Sequence, residues 1–92
     1  MAQLIRTDGT ITSVQPDGHE FTLDEIYRVL ACRHIEALHL HDGRVMYFDG
    51  LGRVTDPPKP PNLDAMALAL PTLPNGGLLG DVLLCEHEEE DL

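Results

Sequence analysis

Apolar positions along this chain fall into short clusters separated by Asp-Gly, Pro and Asn-Gly punctuation, and the spacing inside each cluster predicts its element. Gln3 to Arg6 and Ile11 to Val14 flank Thr7-Asp8-Gly9-Thr10, a hairpin signal because Asp and Gly both tolerate positive φ. Gln15-Pro16-Asp17-Gly18-His19 then reads as a turn, proline lacking a ladder donor. The period changes at Thr22, where Thr22 and Glu25 form a Thr-x-x-Glu capping box with Phe21 and Ile26 as a hydrophobic staple. Leu23, Ile26, Tyr27 and Leu30 follow at i, i+3, i+4 and i+7. This predicts a helix that packs one face on a sheet, turns Asp24, Glu25 and Arg28 to water, and stops near Cys32.

His34 to Leu40 and Arg44 to Phe48 flank His41-Asp42-Gly43 and predict a second hairpin. After a reversal at Asp49-Gly50-Leu51-Gly52, the run Asp56-Pro57-Pro58-Lys59-Pro60-Pro61 is a stiff extended connector, since proline fixes its own φ and restricts its predecessor. Asn62 is placed to cap a short helix from Leu63 to Leu70, with Leu63, Met66, Ala67 and Leu70 on one face and Asp64 in the first turn. An Asn75-Gly76-Gly77 turn leads into Leu78 to Cys85. Its continuous apolar character predicts a buried strand lying between others, with its core at Val82 to Leu84.

The resulting order is ββαββαβ, a single small α+β domain whose mainly antiparallel sheet is covered by two helices. The domain is expected over residues 1–85. Residues 86–92 form an acidic tail with five carboxylates among Glu86-His87-Glu88-Glu89-Glu90-Asp91, whose self-repulsion is expected to keep it extended and flexible. At 92 residues there is room for one core. A chain of this size buries roughly 60 to 65 % of its unfolded surface, which leaves little space for a deep enclosed active site. The four aromatic residues leave core filling to aliphatic side chains, chiefly Leu.

Charge changes the picture more than composition does. Sixteen acidic against six basic side chains give a formal net charge of −10, which disfavours direct binding to a phosphate backbone. It favours a partner protein with a basic surface, including one whose nucleic-acid groove would accept carboxylates in place of phosphates. The same acidity also serves solubility alone. Met1 to Arg6 is short and polar for a signal peptide, and no run approaches the roughly 20 apolar residues of a membrane span, so a cytoplasmic location is expected. Cys32 and Cys85 lie far apart, outside any Cys-x-x-Cys pair, and are expected to be reduced thiols.

Several short motifs occur in a fixed order: a helix ending near Cys32, Ile35-Glu36 opening a strand, the turns Asp42-Gly43-Arg44 and Gly50-Leu51-Gly52, Pro61-Asn62 with Ala65, and Gly80-Asp81-Val82-Leu83-Leu84. Over about residues 3–85 this pattern resembles a domain-of-unknown-function family of small proteins from bacteria, phages and mobile elements. The chain departs from it at Arg33-His34, where family members carry a small residue and an aromatic, and in a longer Pro-rich connector. The resemblance implies a compact fold and a mobile-element setting, and it brings no catalytic residues with it.

Candidate chemistry is sparse. His39 and His41 lie two apart, and a zinc site there needs a third ligand such as His34, Cys85 or His87, which nothing in the sequence fixes. No metal or cofactor is therefore expected. Cys32 and Cys85 lack the surroundings of a nucleophile, and Gly76-Gly77-Leu78-Leu79-Gly80 lacks the Lys-Ser/Thr pair of a phosphate loop. The expectation is a non-enzymatic interaction protein that occludes a host protein, such as a nucleic-acid-handling defence complex of the CRISPR or restriction type. Its contact carboxylates would be Asp42, Asp49, Asp56, Glu86, Glu88, Glu89, Glu90 and Asp91. The alternative is a protein that sequesters a nucleotide-like ligand through Gly-rich turns and Arg33, Arg44, Arg53 and Lys59.

Overall fold

In the computed structural model, which describes residues 2–52, 57–70 and 77–86, both Asp-Gly segments close hairpins, and they do so with the same turn. Arg6 N–H donates to Thr10 O at 2.9 Å and Gly9 N–H to Arg6 O at 3.0 Å; Leu40 N–H donates to Arg44 O at 2.8 Å and Gly43 N–H to Leu40 O at 3.1 Å. Only the glycines of these turns adopt positive φ, 92° at Gly9 and 94° at Gly43. Each loop is thus a three-residue connection closed by a left-handed glycine, not a two-residue turn with positive φ at both positions. The aspartates act through their side chains: Asp8 Oδ1 accepts from Thr10 N–H at 2.8 Å and Asp42 Oδ1 from Arg44 N–H at 3.1 Å.

The first hairpin joins β1 (Ala2–Ile5) to β2 (Ile11–Val14), and the second joins β3 (Ile35–His39) to β4 (Val45–Asp49). The last strand, β5 (Val82–Cys85), lies between β1 and β4, giving a five-stranded antiparallel sheet of order β2-β1-β5-β4-β3. The expected ββαββαβ α+β domain is what forms. All residues of β4 and β5 are buried, which is why both read as continuous apolar runs: each face of the central sheet carries a helix.

Alternation along the strands separates two cores. On one face Ala2, Leu4, Val45, Tyr47, Leu83 and Cys85 meet Phe21, Ile26 and Leu30 around α1 (Leu23–Leu30). On the other, Ile5, Met46, Phe48, Val82 and Leu84 meet Ala65 and Ala69 of α2 (Leu63–Ala69). The α1 capping box forms as the spacing predicts, Glu25 N–H donating to Thr22 Oγ1 at 3.2 Å and Thr22 N–H to Glu25 Oε1 at 3.0 Å. Such a cap contributes about 1 kcal/mol. Glu25 does not face water as its place on the helix suggested. Its residue is buried, because its second oxygen accepts from Asp17 N–H at 3.0 Å and ties the preceding loop to the helix. The helix ends at Ala31, whose left-handed φ of 51° is the one positive φ taken by a non-glycine among the described residues.

The second helix departs further from its sequence pattern. Of the face formed by Leu63, Met66, Ala67 and Leu70, only Met66 packs, half-buried, against the core; Leu63, Ala67 and Leu70 are exposed, and Ala65 and Ala69 are the buried residues. The cause is Asn62, fully buried at the N-cap. Its Nδ2 donates to Ile5 O at 2.8 Å and to Gly80 O at 3.0 Å, its Oδ1 accepts from Ala65 N–H at 3.1 Å, and its own N–H donates to Leu78 O at 2.8 Å. These bonds fix how the helix is rolled, and 100° per residue then turns Ala65 and Ala69 inward. Around Asn62 the connector is zipped against the lead-in to β5, with Gly80 N–H donating to Pro60 O at 2.8 Å and a bridge between Pro61 and Leu79. The expected turn at Asn75-Gly76 and most of the acidic tail fall outside the described residues.

Replacing Asn62 by Ala is expected to cost about 3 kcal/mol, the sum of a lost cap and two buried carbonyls left without a donor. Asn62→Asp keeps the cap acceptor but sets a carboxylate against Ile5 O and Gly80 O, and it should be at least as damaging. Urea titration of both variants measures this, and wild-type stability in Asn62→Ala would remove the amide from its role.

Candidate functional site

The antiparallel order decides which carboxylates share a region. In the sheet Val45 sits opposite Cys85 and Cys85 opposite Ala2, so the β3–β4 turn and the end of β5 lie at the same end of the sheet. That brings Asp42 and Glu86 to one end, where Arg44 and Glu86 help to line an open depression of about 200 Å³ with Gln3, Ser13 and Leu84. Both acids are exposed. Asp42 is engaged locally: its Oδ2 lies 2.7 Å from Arg44 Nε. The Arg44 backbone N–H, then its side chain, hold the Asp42 carboxyl below the usual carboxylate range. Asp56, Glu88, Glu89, Glu90 and Asp91 lie outside the described residues.

Asp49 is placed differently from a surface contact. It is buried at the opposite end of β4, 2.8 Å from Lys59 Nζ, and its Oδ1 accepts from Leu51 N–H at 2.9 Å. Burial alone would raise its carboxyl, but the Lys59 ammonium and the Leu51 N–H outweigh burial, and the net direction is down. The Lys59 side chain reaches Asp49 by passing over Gly80. A Cβ built there would lie 2.8 Å from Lys59 Cδ, and the φ of +81° already demands glycine. Asp49 therefore spends its charge inside the fold, and the surface set is the poorer by one carboxylate.

Beside this pair Ala31, Cys32, Arg33, Asp49, Leu51 and Lys59 line an open cleft of about 250 Å³. Burial, then the Asp49 charge, push the Cys32 thiol up from its ordinary value, so it stays protonated at neutral pH. Of the cations considered for a nucleotide-like ligand, Arg33 and Lys59 line this cleft, Lys59 being held by Asp49; Arg44 is held by Asp42 at the other end of the sheet, and Arg53 lies outside the described residues. His39 and His41 are exposed at the end of β3 and in the turn, Cys85 is buried, and no group of three metal-ligating side chains forms among the described residues. Nor is any helix among them long and apolar enough to cross a membrane.

The fold also assembles acids that spacing along the chain does not join. At the end of the sheet where β5 begins, Asp81 Oδ1 accepts from Thr7 N–H at 3.2 Å, and a Cβ at Gly9 would lie 3.7 Å from Asp64 Oδ2. The Asp8 turn, the first turn of α2 and the start of β5 are therefore neighbours. Asp8 is itself held below the usual range by the Thr10 side chain and backbone N–H. The sequence carries no signal for this grouping, since its members are separated by most of the chain.

Two outcomes follow. Asp8, Glu25, Asp42 and Asp49 all have carboxyls lowered from ordinary values of 3.8 or 4.5. Lowered folded-state values stabilise the fold above the ordinary values, and that stability is lost as pH falls through the folded ones. The midpoint of thermal unfolding should therefore drop steeply as pH falls below 4.5, and Asp49→Asn should start lower at neutral pH and drop less. Alkylation of Cys32 by iodoacetamide should be slow at neutral pH and should still be rising with pH beyond 9.0, the ordinary thiol value, where an unshifted thiol begins to level off. Rapid labelling at pH 7 would contradict a raised thiol.

No protein-family model, no curated protein and no solved structure matches this chain.

Proposed function

We propose that the chain is a non-enzymatic acidic interaction protein that occupies a basic surface of a partner protein, at the end of the sheet carrying Asp42 and Glu86. The observation that supports this is the pairing order, which brings the Asp42 turn beside the strand end from which Glu88, Glu89, Glu90 and Asp91 follow in sequence. Asp42 and Arg44 neutralise each other there, so the surplus charge at this end is that of Glu86. Carboxylates offer charge-assisted acceptors to Lys and Arg side chains that otherwise hold phosphate.

A partner of this kind is a nucleic-acid-handling protein, occluded at its groove. The mobile-element setting implied by the sequence resemblance makes a host defence complex, of the CRISPR or restriction type, the class of target to test. Such a complex is attracted over distances that salt shortens, from about 8 Å at physiological ionic strength to about 3 Å at 1 M.

Affinity capture of the tagged protein from bacterial lysate, washed at low or high salt and read by mass spectrometry, should retain a nucleic-acid-handling complex that high salt releases. Replacing Glu86, Glu88, Glu89, Glu90 and Asp91 by their amides should weaken that complex roughly thirtyfold, at about 0.4 kcal/mol for each exposed pair. Capture indifferent both to salt and to these replacements would overturn the reading.

A further inference from the structure

The two edges of the sheet differ in their protection. β3 carries exposed Glu36 and follows exposed Arg33, and charge along an edge discourages strand addition. β2 has no charged residue, and Ile11, Thr12 and Ser13 are exposed, Ile11 at 53 %. Arg6 N–H donates to Thr10 O where the ladder begins, and Ile5 O accepts from Asn62 on the side away from β2. Because antiparallel bonding alternates, Thr12 and Val14 face β1, while Ile11 and Ser13 turn N–H and C=O to the free edge. No other strand among the described residues pairs there.

We infer that β2 takes up an added antiparallel strand: an extended segment of a basic partner protein, with a Lys or Arg followed two positions later by an apolar residue. Backbone groups aimed outward from alternate residues call for a strand, which main-chain bonds then hold. The residue opposite Ile11 projects on the same face as Ile11, where an apolar side chain covers the exposed isoleucine. The residue opposite Ser13 projects over the depression that Ser13 lines with Gln3, Arg44, Leu84, Cys85 and Glu86. Arg44 is held by Asp42, so the exposed Glu86 carboxylate is the charge that meets the incoming side chain, and it selects a cation.

Net charge decides between a foreign segment and the same edge of a second copy. Two chains at −10 repel, whereas a basic segment is attracted. The inference rests on the reading above that the partner is basic, and it adds a register to it. Ala2 pairs with both Val14 and Cys85, so the end of β2 lies at the end of the sheet where Glu86 follows β5. A strand laid along β2 is therefore continuous with the acidic end proposed for the partner.

Titration of the isotope-labelled full chain with the blocked peptide Thr-Arg-Thr-Ile-Thr, followed by NMR, tests this. Amide shifts should centre on Ile11 and Ser13. Methylating the peptide's Arg or Ile amide, each of which faces β2, should weaken binding about tenfold, while methylating the central Thr amide, which faces away, should leave it unchanged. Glu86→Gln should weaken the Arg peptide severalfold and leave a peptide with Gln in place of Arg unaffected. Ser13→Pro removes an outward N–H without touching the β1 ladder; circular dichroism should show it folded, and it should no longer bind the peptide. Shifts centred elsewhere, or equal losses from methylating either kind of amide, would overturn the inference. Capture of a salt-released basic protein that folded Ser13→Pro retains would overturn it too, and leave the acidic reading standing. Peptide bound at β2 with no protein captured would count against that reading and for the strand site.

Discussion

One buried amide holds the two halves of this fold in register. Asn62 uses both side-chain N–H groups, its side-chain oxygen and its backbone N–H on partners from β1, the lead-in to β5 and the first turn of α2. A group so fully satisfied inside a protein is specific because every alternative position leaves something unpaired. Its neighbours follow from it. With the connector fixed at Asn62, Pro60 pairs with Gly80, Lys59 lies across Gly80, and the ammonium arrives at Asp49. The apparent oddities of the region, a buried carboxylate and an outward-facing leucine helix, are thus consequences of one hydrogen-bonding centre.

Elements whose cause is local were legible in the sequence. The capping box at Thr22, both Asp-Gly hairpins and the Val82 to Leu84 centre of β5 depend on residues within a few positions of one another and form where the pattern puts them, although the strand expected from Leu78 begins only at Val82. Strand ends shift by about one residue, as in β1 and β4. The role of Asn62 was only half legible: its capping of α2 is a local signal, but Ile5 O lies 57 residues away. The orientation of α2 is not legible in the sequence for the same reason. Helical periodicity identifies two faces, and which one turns inward depends on a long-range anchor and on the close approach that alanine permits.

The candidate site divides along the same line. The acidic surplus is visible in any residue count, but its placement comes from strand order, which brings Asp42 to Glu86 and separates both from Asp49. A turn aspartate and a strand-end aspartate look alike in sequence. Only the lysine lying across Gly80 makes one of them an internal counter-ion.

The position of β5 also bears on the order in which the chain can fold. The strand in the middle of the sheet is the last one made, so the two hairpins, each able to close on its own, share no edge until β5 enters between them. Until then β1 and β4 each present an unpaired edge, the kind of edge that recruits foreign strands. Assembly of the whole therefore waits on the final strand and proceeds through contacts of high sequence separation, which makes it slower than its short length implies.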